Sequence, residues 1–171
     1  MKLWKKSFDP DKKIEDYTVG SDYLLDNQLL KYDCQASIAH AKMLQKINIL
    51  TVAEMNALVE ELEHIVVLHE KGEFIIRKAD EDCHTAIENH LTKKLGEAGK
   101  KIHTARSRND QVLTALRLYY RDKLTVIQSE IKAFSETLKK KSTQFKGIKI
   151  PGYTHTRKAM VTSVDVWLEA F

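Results

Sequence analysis

The sequence predicts an all-α protein, in which an N-terminal helical domain leads into the start of a bundle of long helices. Only two prolines and six glycines interrupt 171 residues, and Leu, Lys, Glu and Ala, all strong helix formers, dominate the long stretches between them. Thr51 and Glu54 form a capping-box pattern ahead of Met55, Leu58, Val59, Leu62, Ile65 and Val66 at helical spacing. Further on, Leu113, Tyr120, Ile127 and Phe134 recur as a heptad, with Leu124, Ile131 and Leu138 in the offset register. A hydrophobic content of 43% is enough to give such helices a core.

Taken in order, the first twenty residues read as an irregular charged arm with a turn at Asp9-Pro10. Helix begins near Asp22 and resumes from Tyr32 to about Lys46, where Ile38, Ala41, Met43 and Leu44 lie on or near one face. The capped helix from Thr51 stops at Gly72. A third helix runs from about Asp80 to Leu95, with Ala86, Ile87, Leu91 and Leu95 inward, and Gly96 and Gly99 end it. After the polar stretch Lys101 to Asp110 comes one long helix from Gln111 to about Lys140. About 30 helical residues span about 45 Å, more than the compact domain before them can cover. Gly147 to Tyr153 reads as a loop, and an apolar segment from about Lys158 reads as helix that runs to Phe171. The expected organisation is therefore a helical domain over 1–108 and an incomplete bundle over 109–171, whose partner helices come from other subunits or from sequence outside this chain.

The charge balance excludes several classes. Twenty-eight Lys and Arg against 24 Asp and Glu leave a net charge of +4, with the signs interspersed rather than gathered on one face, which argues against nucleic acid as a partner. The run Lys139-Lys140-Lys141 sits near a helix end, where the dipole favours cations. Cys34 and Cys83 are far apart and read as reduced thiols of a cytoplasmic protein. Neither a signal peptide nor an apolar run of about 18 residues is visible, so no membrane span is expected.

Three polar stretches interrupt the helical patterning. His103-Thr104-Ala105-Arg106-Ser107-Arg108-Asn109-Asp110-Gln111 lies where the long helix begins. Free N–H groups, the positive dipole end and two arginines suit a carboxylate or phosphate there. A capped helix start whose arginines form structural ion pairs accounts for the same residues equally well. Pro151-Gly152-Tyr153-Thr154-His155-Thr156-Arg157 offers a histidine, the commonest general acid or base near neutral pH, although a lone histidine is more often structural. Glu81-Asp82-Cys83-His84 also fits a charged first helical turn. There is no glycine-rich phosphate loop, GxSxG or HExxH. His64 and His69 are five apart without acidic or cysteine partners, so no metal site and no cofactor are expected.

Lys2-Leu3-Trp4, Tyr32-Asp33 with Ser37-Ile38-Ala39-His40, Glu81-Asp82-x-His84, His103 to Val112 and Pro151-Gly152-Tyr153-Thr154-His155 occur together and in order. In this the chain resembles the N-terminal portion of the argininosuccinate lyase and δ-crystallin family of the aspartase/fumarase superfamily. The resemblance implies a fumarase/aspartase-like fold, a homotetramer with active sites shared between subunits, and β-elimination of argininosuccinate to arginine and fumarate in arginine biosynthesis. It implies that Ser21, Asn109 and Thr154 bind substrate with Ser107 and Arg108 beside them, that His155 transfers a proton, and that His84 supports the site. Ala105 stands where family members more often carry Gly. Thr156-Arg157-Lys158-Ala159-Met160-Val161 replaces a Leu-Gln and Ala-Gln-Pro pattern, loosening the start of the expected helix and removing a polar neighbour of His155. The family's mobile Gly-Ser-Ser loop with its catalytic serine has no counterpart in these 171 residues, so the isolated chain is expected to be inactive. A δ-crystallin-like structural or oligomerisation module is the alternative.

Overall fold

The computed structural model describes residues 11–171; the Lys2-Leu3-Trp4 motif and the Asp9-Pro10 turn lie outside them. The helices are α1 (Lys12–Val19), α2 (Asp22–Leu25), α3 (Leu30–Lys46), α4 (Val52–Glu70), α5 (Cys83–Leu95), α6 (Glu97–Lys101), α7 (Arg108–Gln144) and α8 (Val164–Glu169), with strands β1 (Lys149–Thr154) and β2 (Arg157–Ser163) before α8. The chain divides into two compact units between Tyr120 and Arg121. The all-α class holds, apart from that one hairpin.

The first unit is built around α3, α4 and α5. Leu30 and Leu44 from α3, Leu58, Leu62 and Ile65 from α4, and Ile87 and Leu91 from α5 are buried together with Ile102. Full burial of such a side chain contributes about 1.5–3 kcal/mol. The Thr51 cap forms as the sequence requires: Thr51 Oγ1 accepts from Glu54 N at 3.2 Å, and Glu54 Oε2 accepts from Thr51 N at 2.8 Å. Lys101 Nζ, 2.6 Å from Glu54 Oε1, and the Thr51 groups hold the Glu54 carboxyl down at about 2.

Several of these expectations need correction. From Lys12 onward the expected irregular arm is helical, because α1 forms over Lys12–Val19; Asp11 Oδ1 accepts from Lys13 N at 2.8 Å and serves the helix start. The third helix begins at Cys83 rather than Asp80, where Asp82 Oδ1 accepts from Thr85 N at 2.7 Å. The long helix starts three residues early, at Arg108. The segment after Lys158 is strand, with α8 beginning only at Val164, and most of the expected Gly147–Tyr153 loop is strand β1.

The hairpin of the second unit explains that last difference. Thr154 pairs with Arg157, so His155 and Thr156 form a two-residue turn with φ of 49° and 63°, the twist that closes an antiparallel pair. Val161 and Thr162 are β-branched and suit a strand. The register slips between Pro151 and Tyr153, and at the intervening Gly152 a Cβ would come within 2.7 Å of the Met160 carbonyl oxygen. On α7 within this unit, Leu124, Ile127, Ile131 and Phe134 are more than half exposed. No helix among the described residues is long and apolar enough to cross a membrane.

Gly99 does not end a helix. It sits inside α6, where a Cβ would overlap the Leu91 carbonyl and the Thr92 nitrogen of α5. Gly99→Ala is therefore expected to destabilise the first unit by about 1–3 kcal/mol, as overpacking against backbone does. Urea denaturation followed by far-UV circular dichroism measures this, and an unchanged midpoint would refute the close approach.

Candidate functional site

The His103–Gln111 segment begins as a turn and ends as the first residues of α7. Ser107 and Asp110 cap that helix reciprocally: Asp110 Oδ2 accepts from Ser107 N at 2.8 Å, and Ser107 Oγ from Asp110 N at a long 3.4 Å. The Ser107 backbone N–H holds the exposed Asp110 carboxyl below its ordinary range. Neither Ser107 nor Asn109 is buried, and both face solvent.

The two arginines behave differently. Arg106 turns inward, where Nη1 donates to Ser37 Oγ at 3.2 Å and Nη2 to the Ile102 carbonyl at 2.9 Å. Its Nε is buried without a hydrogen-bond partner, and burial lowers its pKa against the opposing pull of Asp33 and Glu88. Arg108 stays nearer the surface, donating to Glu88 Oε1 at 3.3 Å, Gln111 Oε1 at 3.2 Å and Thr85 Oγ1 at 3.3 Å. His103 Nδ1 lies 2.9 Å from the same Glu88 oxygen. At the other side of the segment, His40 Nε2 lies 2.9 Å from the Thr104 carbonyl oxygen, which fixes that nitrogen as the N–H donor. Burial lowers the His40 pKa, with the Arg106 charge adding to it.

His84, expected to support the site, lies in the core. Its Nδ1 is 2.9 Å from Asp33 Oδ2, with both side chains 1% exposed. Neither Asp33 oxygen nor His84 Nδ1 makes a well-formed hydrogen bond, so both Asp33 oxygens are short of donors. Burial pushes the His84 pKa down, but the Asp33 carboxylate and then Asp82 outweigh it, and the net shift is upward.

Ser21 precedes α2, and its carbonyl accepts from Leu24 N at 3.0 Å and Leu25 N at 3.2 Å; its side chain makes no cap bond. In the second unit, Thr154 Oγ1 and His155 Nδ1 are 2.9 Å apart at the exposed tip of the hairpin. A hydroxyl donating to Nδ1 would leave the proton on Nε2.

The first unit thus brings His84, Ser107, Arg108 and Asn109 onto adjoining elements, and it adds Asp33, Ser37, His40 and Glu88, which the sequence reading assigned no role. Asp33, Ser37 and His40 are spaced four and three apart on α3. A polar stripe at helical spacing beside buried Leu30, Cys34 and Ala41 was the available signal. Among the described residues, Asp33, Cys83 and His84 carry metal-ligand atoms within 4.8 Å of one another. The Arg106 charge nearby and the burial that drives the Cys83 thiol upward both oppose a cation there. Cys34 and Cys83 are free and buried.

A protein-family model described as Lyase matches residues 7–171. The chain belongs to the lyase family. It is 52% identical over 169 residues to the argininosuccinate lyase of Thermotoga neapolitana, covering 99% of this chain and 42% of that protein. It is 41% identical over 170 residues to the argininosuccinate lyase of Parabacteroides distasonis, covering 99% of this chain and 38% of that protein. The chain therefore spans about two fifths of the length of these curated relatives. Its fold matches an EDDS lyase variant with bound fumarate at a TM-score of 0.72 and 24% identity, over 94% of this chain and 31% of that one. The motif resemblance to argininosuccinate lyases is thereby established, as is the lyase fold.

Two consequences of this geometry are measurable. Ala105 holds φ at 59°, a left-handed conformation that costs a residue with a Cβ about 1–2 kcal/mol. Part of that is regained on substitution, so Ala105→Gly should raise stability by about 1 kcal/mol in urea titrations. The Asp33–His84 pair makes stability pH-dependent. Because the folded pKa of His84 is raised above its unfolded value of 6.5, its contribution is fully present below that value and is lost as pH rises through the folded pKa. The urea midpoint of the wild type minus that of His84→Gln should therefore shrink as pH climbs above 6.5. A difference that grows with pH would show that the imidazole is buried neutral.

Proposed function

We propose that this chain supplies one part of an argininosuccinate lyase, which cleaves argininosuccinate to arginine and fumarate. The observation that carries the proposal is 52% identity across 99% of the chain to an enzyme of that name, with the His103–Gln111 motif, apart from Ala105, and the Pro151–His155 motif both present. In this reading residues 1–108 form a helical domain and 109–171 begin a central bundle completed within a homotetramer in the cytoplasm. The exposed Leu124, Ile127, Ile131 and Phe134 side chains on α7 support that bundle.

The chemistry asks for groups of the kind found here. A base removes a proton from the succinyl carbon next to a carboxylate, and the electron pair left behind forms the double bond of fumarate. The carbon–nitrogen bond breaks, and the departing guanidino nitrogen keeps its electron pair and takes a proton from an acid. Charge developing on the carboxylate needs fixed donors. Ser21, Ser107, Arg108, Asn109 and Thr154 are the proposed substrate contacts. His155 transfers the proton, its ring oriented by the Thr154 hydroxyl at 2.9 Å. His84, buried against Asp33, supports the site from the core rather than touching substrate.

Fumarate release from argininosuccinate, followed by ultraviolet absorbance, tests this reading. The chain alone is expected to be silent, and a mixture with the remaining portion of a related lyase is expected to be active. His155→Asn in that mixture should lose about 10²–10⁴-fold in rate, the usual contribution of a positioned proton-transfer group. A silent mixture of folded parts would instead favour a δ-crystallin-like structural or oligomerisation module, for which the same exposed α7 face is the supporting observation.

A further inference from the structure

Glu88 projects from α5 with its side chain 16% exposed. One of its oxygens, Oε1, takes contacts from three donors: His103 Nδ1 at 2.9 Å, Gln111 Nε2 at 3.2 Å and Arg108 Nη1 at 3.3 Å. All three donors belong to the His103–Gln111 segment. Gln111 is 2% exposed, and its amide closes a ring: the nitrogen donates to Glu88 while the oxygen accepts from Arg108 at 3.2 Å. Thr85 Oγ1, at 3.3 Å, and Asp82 Oδ2, 3.9 Å from Nε, hold the rest of the guanidinium. Arg108 nevertheless keeps 30% of its side chain exposed.

We propose that Glu88 is a positioning residue, which through Arg108 and Gln111 holds the guanidinium in the orientation that receives a substrate carboxylate. The proposal rests on the lyase reading above. An arginine side chain free to sample its rotamers loses that freedom on binding and weakens the complex, whereas one already held does not. An ionised acceptor holds a guanidinium more strongly than a neutral one and limits the orientations it can take. With Glu88 removed, Asp82 is the nearest remaining carboxylate, and the guanidinium swings toward it. Glu88 does not touch substrate in this arrangement.

Two measurements test the proposal with Glu88→Ala and Glu88→Gln. The first is amide hydrogen exchange in the full 171-residue chain. Glu88→Ala should speed exchange across residues 103–111 by about tenfold or more while amides of α4 keep their rates. Unchanged exchange in the segment, or equal acceleration in α4, would overturn the proposal, the latter by showing a general loss of packing. The second is fumarate release in the mixture with the remaining portion of a related lyase. Glu88→Ala should raise the KM for argininosuccinate about tenfold with kcat changed much less, and Glu88→Gln should recover part of the loss. A fall in kcat at constant KM would overturn the assigned role. If the wild-type mixture releases no fumarate, the lyase reading fails, and the exchange experiment alone decides whether Glu88 positions the segment.

Discussion

The carboxylate of Asp33 lies in the core of the first unit, 1% exposed and short of hydrogen-bond donors. A lone ionised carboxylate there would be prohibitively costly. Two partners from two other parts of the chain face it: His84 of α5 at 2.9 Å, and Arg106, whose guanidinium feels the Asp33 charge and reaches Ser37 one turn along α3. Because these partners come from α5 and from the segment before α7, the charge requirement of one residue draws three separate stretches of chain to one place. Removing either partner would leave the other groups buried and less well matched, so the cluster specifies the arrangement more than it adds net stability.

From that anchor the rest of the site follows in steps of side-chain length. Arg106 held inward leaves Arg108, two residues on, nearer the surface, where Glu88 and Thr85 of α5 receive it. His40 fixes the Thr104 carbonyl from α3. Ser107 and Asp110 then start α7 where the turn ends. The competing account of this segment, a capped helix start with structural ion pairs, describes real contacts. The same contacts would also keep the segment rigid in the proposed role of binding substrate. The two accounts are compatible because the same hydrogen bonds that satisfy the protein leave Ser107 and Asn109 facing outward.

The hairpin of the second unit shows a different way of presenting a side chain. His155 and Thr156 both adopt positive φ, a conformation in which non-glycine residues are strained and which recurs at functional positions. The turn places an imidazole at an exposed tip, with the Thr154 hydroxyl 2.9 Å from its Nδ1.

What the sequence determined by itself was whatever depends on near neighbours along the chain. The Thr51–Glu54 cap, the apolar spacing of α4 and α5 and the heptad on α7 all express 3.6-residue periodicity, which a reader can count. The motifs around Arg108 and His155 were legible as contiguous runs that resemble a family, not from periodicity. The tertiary structure decided everything that depends on distant pairing. It put His84 in the core because Asp33, 51 positions earlier, needed a counter-charge. It made Glu88 the hub of a segment 15 to 23 residues away. It turned residues 157–163 into a strand because β1 was there to pair with them. Short apolar runs carry no strong period of their own, so a neighbouring strand chooses their conformation. Buried charges likewise take their partners from whatever the fold brings near, and sequence spacing does not record that choice.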